Sequence, residues 1–482
     1  MFEWPTRGAD MALADPQTQP MDHPPTARQW FVLFVALAGT FMAMFDLFVV
    51  NIAVPALRAD LRAGDAAVEL VVSGYAFAYA AGLVTGGRLG DRFGYRRTFA
   101  LGMAAFTVAS LLCGIAATPG QLIAARLLQG LAAAAMAPQV LSLITVTFPA
   151  THRGRATAWF GVVSGLGALA GQILGGLLLE AFGWRAIFLV NVPFGLIAAV
   201  LAVRWLPAGG GRMARFDPIG ALAVSLTLAL VLVPLATGRE AGWPWWTWAC
   251  LIAAMPLGLL TLRVQLTLAR RGGEPIIDPE LFRHRRYLML LVAGGLFQLY
   301  FGALMFTMTL LLQGKLGGSP VATALVFLPQ GVLFTVGSML SGRLVARYGP
   351  AVMLTGGGLV IAGLLAITGV LGATGGDLPN WWLAAPLAFV GLGNGFLLPP
   401  ILGAALAHVR ADQAGAAAGT LTTTLQFANS LGVTLLGTLF FSLAGPRLTA
   451  ADTATEVACA IYVALVAAVF ALIKSASRNS TE

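Results

Sequence analysis

The chain has 482 residues, 58% of them hydrophobic and only 10% charged, against about 25% charge in ordinary soluble domains. So much apolar surface with so few charges to cover it excludes a water-soluble globular protein, and the apolar residues run for the twenty or so positions that a bilayer crossing requires. The excess of 29 Lys and Arg over 20 Asp and Glu, a net +9, is scattered through short loops with no basic, aromatic-laced domain, so it excludes nucleic acid as a partner and reads as topology.

Residues 1–28 carry Pro5, Pro16, Pro20, Pro24 and Pro25 and read as a disordered polar tail without the layout of a cleavable signal. Beyond it lie fourteen apolar segments, at about 29–55, 67–87, 97–117, 120–148, 156–181, 185–206, 217–237, 246–268, 287–312, 320–342, 350–372, 381–407, 415–443 and 456–474. They predict an all-α polytopic membrane protein with both ends on one side. With the N-terminus in the cytoplasm, the cytoplasmic segments hold 22 of the Lys and Arg residues and the opposite side six, so the positive-inside rule places both ends in the cytoplasm of a cell (inner) membrane. The 27 arginines against two lysines point to a GC-rich, bacterial genome.

The chain repeats itself. GRLGDRFG (Gly87 to Gly94), after segment 2, returns as GRLVARYG (Gly342 to Gly349), after segment 10, 255 residues later with five of eight positions identical. The repeat predicts a six-helix bundle over 29–206 and a second over 287–474. Residues 207–286 then form a linker with two inserted helices, and 475–482 a short tail. Two such bundles are the layout of a transporter whose binding site lies between its halves.

The loop GRLGDRFGYRR (Gly87 to Arg97) resembles the signature loop of the major facilitator superfamily, and fourteen segments resemble its drug:proton antiporter branch. Three further stretches carry the likeness: FDLFVVNIAVPAL (Phe45 to Leu57) in segment 1, RLLQG (Arg126 to Gly130) in segment 4, and GALAGQILGG (Gly167 to Gly176) in segment 5 followed by WRAIFLVNVPFG (Trp184 to Gly195). Two positions depart from the family pattern: Gln172 stands where the antiporter signature has a proline, and Phe48 where the first signature has a threonine. The resemblance implies the major facilitator fold, alternating access, a place for Arg126 in proton coupling, and a conformational latch in which Asp91 pairs with Arg92 and Arg97. Gly87, Arg88 and Gly94 complete that latch, and Ala346 replaces the acid in the second copy, so the latch is one-sided.

Asp46 is the one carboxylate expected deep inside a span. A buried ion there costs several kcal/mol unless paired or protonated, so Asp46 is either a proton carrier or an acid permanently neutralised by a partner. Arg126, the one intramembrane base, lies at similar depth and cannot release its proton; it either trades pairing with Asp46 against proton binding or braces helix packing. The four histidines fall in the tail or loops, and Glu180 at the outer end of segment 5 is expected to be hydrated. Gly167, Gly171 and Gly175 recur every fourth residue on one face of segment 5, beside Gln172 and Gly176, which suits close helix approach for packing or for gating. Phe45, Tyr79 and Tyr300 are candidate cavity aromatics, and Gln298, Asn394, Gln426 and Asn429 are polar pathway candidates because polar atoms avoid lipid. Trp243, Trp245, Trp246 and Trp248 suit an outer interfacial belt.

Cys113, Cys250 and Cys459 lie far apart, with neither disulfide nor metal-ligand spacing, and no GxxxxGK[ST] loop is present. No metal, cofactor or ATP chemistry is expected, nor an enzyme, for want of paired carboxylates or a His/Cys cluster at membrane depth. The leading expectation is a proton-coupled antiporter, active as a monomer, that exports amphipathic hydrophobic or cationic drugs. The alternatives are a dedicated exporter of one natural product or lipid-like molecule, and a non-transporting receptor or scaffold.

Overall fold

The computed structural model describes residues 24–208, 218–238, 241–270, 279–406, 414–445 and 448–478. The proposed tail therefore lies outside the described residues up to position 23. Thr26 opens the first helix with a capping box: its Oγ1 accepts from Gln29 N at 3.3 Å, and Gln29 Oε1 accepts from Thr26 N at 2.7 Å. Helix α1 runs Ala27–Leu61, α2 Asp65–Phe93, α3 Tyr95–Gly114, α4 Pro119–Thr147, α5 Ala150–Phe182, α6 Ala186–Leu189 and α7 Asn191–Trp205. After these come α8 Pro218–Thr237, α9 Trp245–Arg270, α10 Arg285–Thr309, α11 Pro320–Tyr348, α12 Ala351–Thr374, α13 Ala384–Leu406, α14 Ala414–Ala444 and α15 Ala451–Arg478. Thr118 and Ser319 cap α4 and α11, each followed by a proline in the first turn, where its missing N–H costs nothing.

Among the described residues no strand occurs, and thirteen helical stretches are long and apolar enough to cross a bilayer, with α6 and α7 forming one crossing over Ala186–Trp205. Helix α8, whose apolar stretch Leu222–Leu235 is shorter than these, stands where the fourteenth crossing is expected. We call the side on which α1 begins and α15 ends the tail face, and the opposite side the far face.

The two halves repeat each other in packing as well as in sequence. In the first half α1 packs on α5, α2 on α4, and α3 on α4 and α7; in the second α10 packs on α14, α11 on α13, and α12 on α13 and α15. The signature loops match in detail. Gly94, at φ +91°, donates its N–H to Gly90 O at 2.9 Å, and Gly349, at φ +62°, donates to Val345 O at 2.8 Å. Both turns need a left-handed residue, which glycine adopts without strain. Beside them Arg92 lies over the Phe93 ring at 5.3 Å and Arg347 over the Tyr348 ring at 5.2 Å.

The halves meet along two seams, α2 against α14 and α5 against α11, and the inserted pair α8–α9 leans on the first of these through α8. Hydrogen bonds tie the halves together toward the far face. Gln313 Nε2 donates to Ile52 O at 2.9 Å, Thr438 Oγ1 to Glu69 Oε2 at 2.9 Å, Ser430 Oγ to Ser73 O at 2.9 Å, and Val321 N to Glu180 Oε2 at 3.3 Å. The molecule is therefore closed at its far face.

Candidate functional site

Asp46 and Arg126 are both fully buried and form an ion pair in which Arg126 Nη1 donates to Asp46 Oδ2. Helices α1 and α4 bring them together, and three more crossings complete the surroundings. Gln129, one turn beyond Arg126 on α4, donates through Nε2 to Asp46 Oδ1 at 2.8 Å and to Ser110 Oγ on α3 at 3.1 Å. Asn191, at the start of α7, donates through Nδ2 to the same two acceptors, at 3.2 and 3.1 Å. Ser110 in turn donates to Phe188 O at 2.9 Å.

The arginine is held as tightly as the acid. Its Nη1 also donates to Gln129 Oε1 at 2.8 Å, its Nε donates to Val71 O on α2 at 3.2 Å, and its guanidinium lies 4.4 Å from the Tyr75 ring centre. Tyr75 is anchored by its own hydroxyl, which donates to Ala43 O at 3.1 Å. Arg126 Nη2 is buried without a partner among the described residues. The carboxyl group of Asp46 thus sits in a buried core on two amide donors and one guanidinium. Removing one member of such a pair leaves the other charge stranded, at a cost of about 3–5 kcal/mol.

The second half carries a neutral echo of this arrangement. Tyr300 on α10 donates its hydroxyl to Asn394 on α13, and its ring lies 6.1 Å from that of Tyr462 on α15. These three helices are the counterparts of α1, α4 and α7. Tyr300 and Asn394, both expected on the pathway, are fully buried inside the second bundle. Of the other pathway candidates, Phe45 and Tyr79 are 4% exposed, with Phe45 stacked on Phe41 and Tyr79 on Tyr75; Gln426 and Asn429 are 6% and 8% exposed, and Gln298 is half-buried. The structure does not bring these seven into one cluster.

The glycines of α5 divide by partner. A methyl group added at Gly167 would stand 2.7 Å from Phe41 O, at Gly171 2.6 Å from Phe45 O, and at Gly175 2.5 Å from Val49 Cγ2, so these three seat α5 on α1 within one half. Gly176 faces the other half, where a methyl would stand 2.8 Å from Ala324 Cβ and Pro320 O on α11.

In the signature loop, Gly87, Arg88 and Gly94 occupy the end of α2 and its turn, Arg97 is exposed, and the Asp91 side chain, central to the expected latch, lies outside the described residues. A second acid escaped the sequence reading. Glu69, on α2, is 1% exposed and accepts from Thr438 Oγ1 of α14 at both oxygens. It is a second buried carboxylate, set in the seam between halves. Gln129, Asn191 and Ser110 also went unremarked, although the first two lie inside stretches that carried the family likeness.

Thirteen bilayer-length stretches among the described residues, twelve of them in two repeated bundles with an acid and a base paired inside the first, direct the comparison to transporters. The family model of the Major Facilitator Superfamily matches residues 36–433. The chain belongs to this superfamily. A Streptomyces coelicolor protein named "Probable actinorhodin transporter" is 39% identical over 433 residues, 89% of this chain and 75% of that protein. The puromycin resistance protein of Streptomyces alboniger is 37% identical over 424 residues, 86% of this chain and 82% of that one. Among solved structures, a POT family transporter in complex with 5-aminolevulinic acid superposes with a TM-score of 0.69 at 13% identity, covering 92% of this chain and 96% of that one. That last likeness is one of fold alone. The chain is a multi-pass membrane transporter of the superfamily and not an enzyme.

Proposed function

We propose that this transporter exports hydrophobic antibiotic-like compounds from the cytoplasm in exchange for protons, with the tail face cytoplasmic and the inner membrane of a bacterium as its location. The observation that carries the reading is the Asp46–Arg126 pair. A carboxylate fully withdrawn from water persists only while charge-paired or protonated. A single group can therefore alternate between a cation and a proton as access alternates.

In this reading the far-closed state keeps Asp46 ionised, and its contact with Arg126 supports that assignment. Opening at the far face parts the seams α2–α14 and α5–α11 and shifts α1, which carries Asp46 toward the bundle interior and Phe48 toward Phe301 of the other half, 6.0 Å away. Movement of α1 weakens the pair and leaves the acid to take a proton from outside. Return to the far-closed state re-forms the pair and expels the proton toward the cytoplasm, resetting the site for the next substrate. One elementary charge moving across 100 mV supplies ~2.3 kcal/mol, enough for about a fiftyfold concentration ratio. Asp91 and its neighbours act on the tail face as the latch that shuts the cytoplasmic side in the alternate state.

The names of similar proteins support export of antibiotics, actinorhodin in one case and resistance to puromycin in another. They favour, as a second reading, a dedicated exporter of one natural product. Everted vesicles containing the protein distinguish the readings: an acid interior should drive uptake of puromycin and of unrelated hydrophobic dyes, and nigericin should abolish it. Uptake of a single compound supports the dedicated exporter, and uptake indifferent to nigericin overturns proton exchange.

A further inference from the structure

Gln172 follows Gly171 on α5. Because Gly171 seats the helix on α1, the next side chain turns to the opposite half, and there it meets α10 and α11. Gln172 Nε2 lies 3.5 Å from Met305 Sδ on α10, and Gln330 Nε2 on α11 lies 3.9 Å from the same sulfur. Gln172, Met305 and Gln330 each stand ten residues from the far end of their helical run, at Phe182, Lys315 and Pro320, about 15 Å deep at 1.5 Å per residue. Two amides from opposite halves thus converge on one thioether at one depth.

The convergence leaves both amides underused. A thioether sulfur is a weak acceptor, and Gln172 Oε1 and Gln330 Oε1 are buried with no hydrogen-bond partner among the described residues, in side chains 8% and 3% exposed. Buried amide oxygens are ordinarily paired because stranding one costs free energy. Turning either amide over exchanges which atom is stranded without pairing it.

One helical turn toward the tail face the chemistry changes. Phe301 lies four residues before Met305 on α10, and Phe334 four after Gln330 on α11. Their rings stack at 6.3 Å, with Phe297 stacked on Phe301 at 5.9 Å and Phe48 of the other half edge-on to it at 6.0 Å. Phe48, Phe301 and Phe334 are all partly exposed. An aromatic wall therefore leads up to a spot of unspent hydrogen-bonding capacity. None of the contacts described for the cluster involves a titratable side chain, so a full charge placed there would be stranded.

We propose that Gln172, Gln330 and Met305 form a ligand subsite that receives a neutral hydroxyl at the leading edge of an aromatic substrate. The hydroxyl donates to an amide oxygen and its own oxygen takes the amide N–H groups that the sulfur now holds weakly, while the ring system lies against Phe301 and Phe334. Met305 is the movable part, since an unbranched thioether side chain repacks readily. The proposal rests on the export reading and deepens it: the preferred cargo is aromatic, uncharged and hydroxylated. It also gives Gln172 a role that the proline at this position in the family signature could not fill.

The test uses 4-hydroxybiphenyl and 4-methoxybiphenyl, which differ in the one donor and are both neutral at pH 7. Their binding is measured by equilibrium dialysis against the full chain in nanodiscs, with empty nanodiscs as blank. The wild type should bind the hydroxy compound roughly tenfold more tightly, the size expected of one hydrogen bond to a buried, otherwise unpaired group. Gln172→Met with Gln330→Met keeps the side-chain length and should reduce that preference to about onefold while leaving the methyl ether within about twofold of wild type. If the double variant fails to elute as folded protein, each single variant carries the same expectation, a loss of about threefold in preference. The proposal is overturned if the wild type shows no preference or binds neither probe, if the preference survives substitution, or if both probes weaken equally. Puromycin uptake by the same protein in vesicles separates this failure from failure of the export reading: uptake without a hydroxyl preference sinks only the subsite, whereas a preference without uptake sinks export.

Discussion

Gln129 donates to Asp46 Oδ1 at 2.8 Å while Arg126, one turn earlier on the same helix, donates to Oδ2. Helix α4 therefore grips both oxygens of an acid on α1, and any movement of one helix along the other disturbs both contacts together. Gln129→Leu should remove two hydrogen bonds to charged groups, one to Asp46 and one from Arg126, each about 1.5–3 kcal/mol. The reset step that returns Asp46 to its ionised form should slow at least tenfold. Uphill puromycin uptake in vesicles should fall accordingly while downhill exchange is retained; equal loss of both would show that Gln129 serves folding alone.

Arg126→Ala should be the most damaging single change to stability, because it strands a buried carboxylate. A loss of about 3–5 kcal/mol should appear as a large drop in the thermal unfolding temperature of the detergent-solubilised protein. Combining it with Asp46→Asn, which removes the stranded charge, should recover much of that drop without recovering uphill transport. Failure of the double variant to regain stability would deny that the pair is held by charge complementarity.

The glycines of α5 yield opposite expectations by partner. Gly171→Ala drives a methyl into Phe45 O within the first half and should reduce folded yield. Gly176→Ala drives one into Ala324 and Pro320 across the seam, and should leave yield near normal while biasing the molecule away from far-face closure. Distances between spin labels at positions 62 and 377, in a background lacking the three native cysteines, should lengthen for Gly176→Ala.

Glu69 and Thr438 form the corresponding tie on the other seam. Thr438→Val deletes the donor but keeps the shape, and should lengthen the same label distance and lower stability by about 1.5–3 kcal/mol while leaving the Asp46 network untouched. An unchanged distance distribution would reduce the contact to packing.

The fold was legible because bilayer thickness dictates both the length and the composition of each crossing, and because the Gly87 and Gly342 loops announce the repeat. Asp46 and Arg126 were legible for a related reason, since a charge inside an apolar run has few uses. Gln129, Asn191 and Ser110 were not, because a neutral polar residue in an apolar helix reads the same whether it supports an ion pair or faces a neighbouring backbone. Glu69 was missed because it lies only four residues into α2, a place that water reaches in an isolated helix; here α14 covers it. Gln172 stood out as a departure from the family pattern, but its purpose depends on Met305 and Gln330, which no spacing in the sequence places beside it.

Asp46 is proposed to carry the exchanged proton, and the decisive measurement is transport by Asp46→Asn in vesicles with an imposed pH gradient. The amide keeps the size and much of the hydrogen bonding of the acid, so the protein should fold and still equilibrate puromycin across the membrane. It should fail to accumulate puromycin against its gradient when the vesicle interior is acid. Accumulation equal to that of the wild type would contradict the account and leave Asp46 and Arg126 as a structural pair.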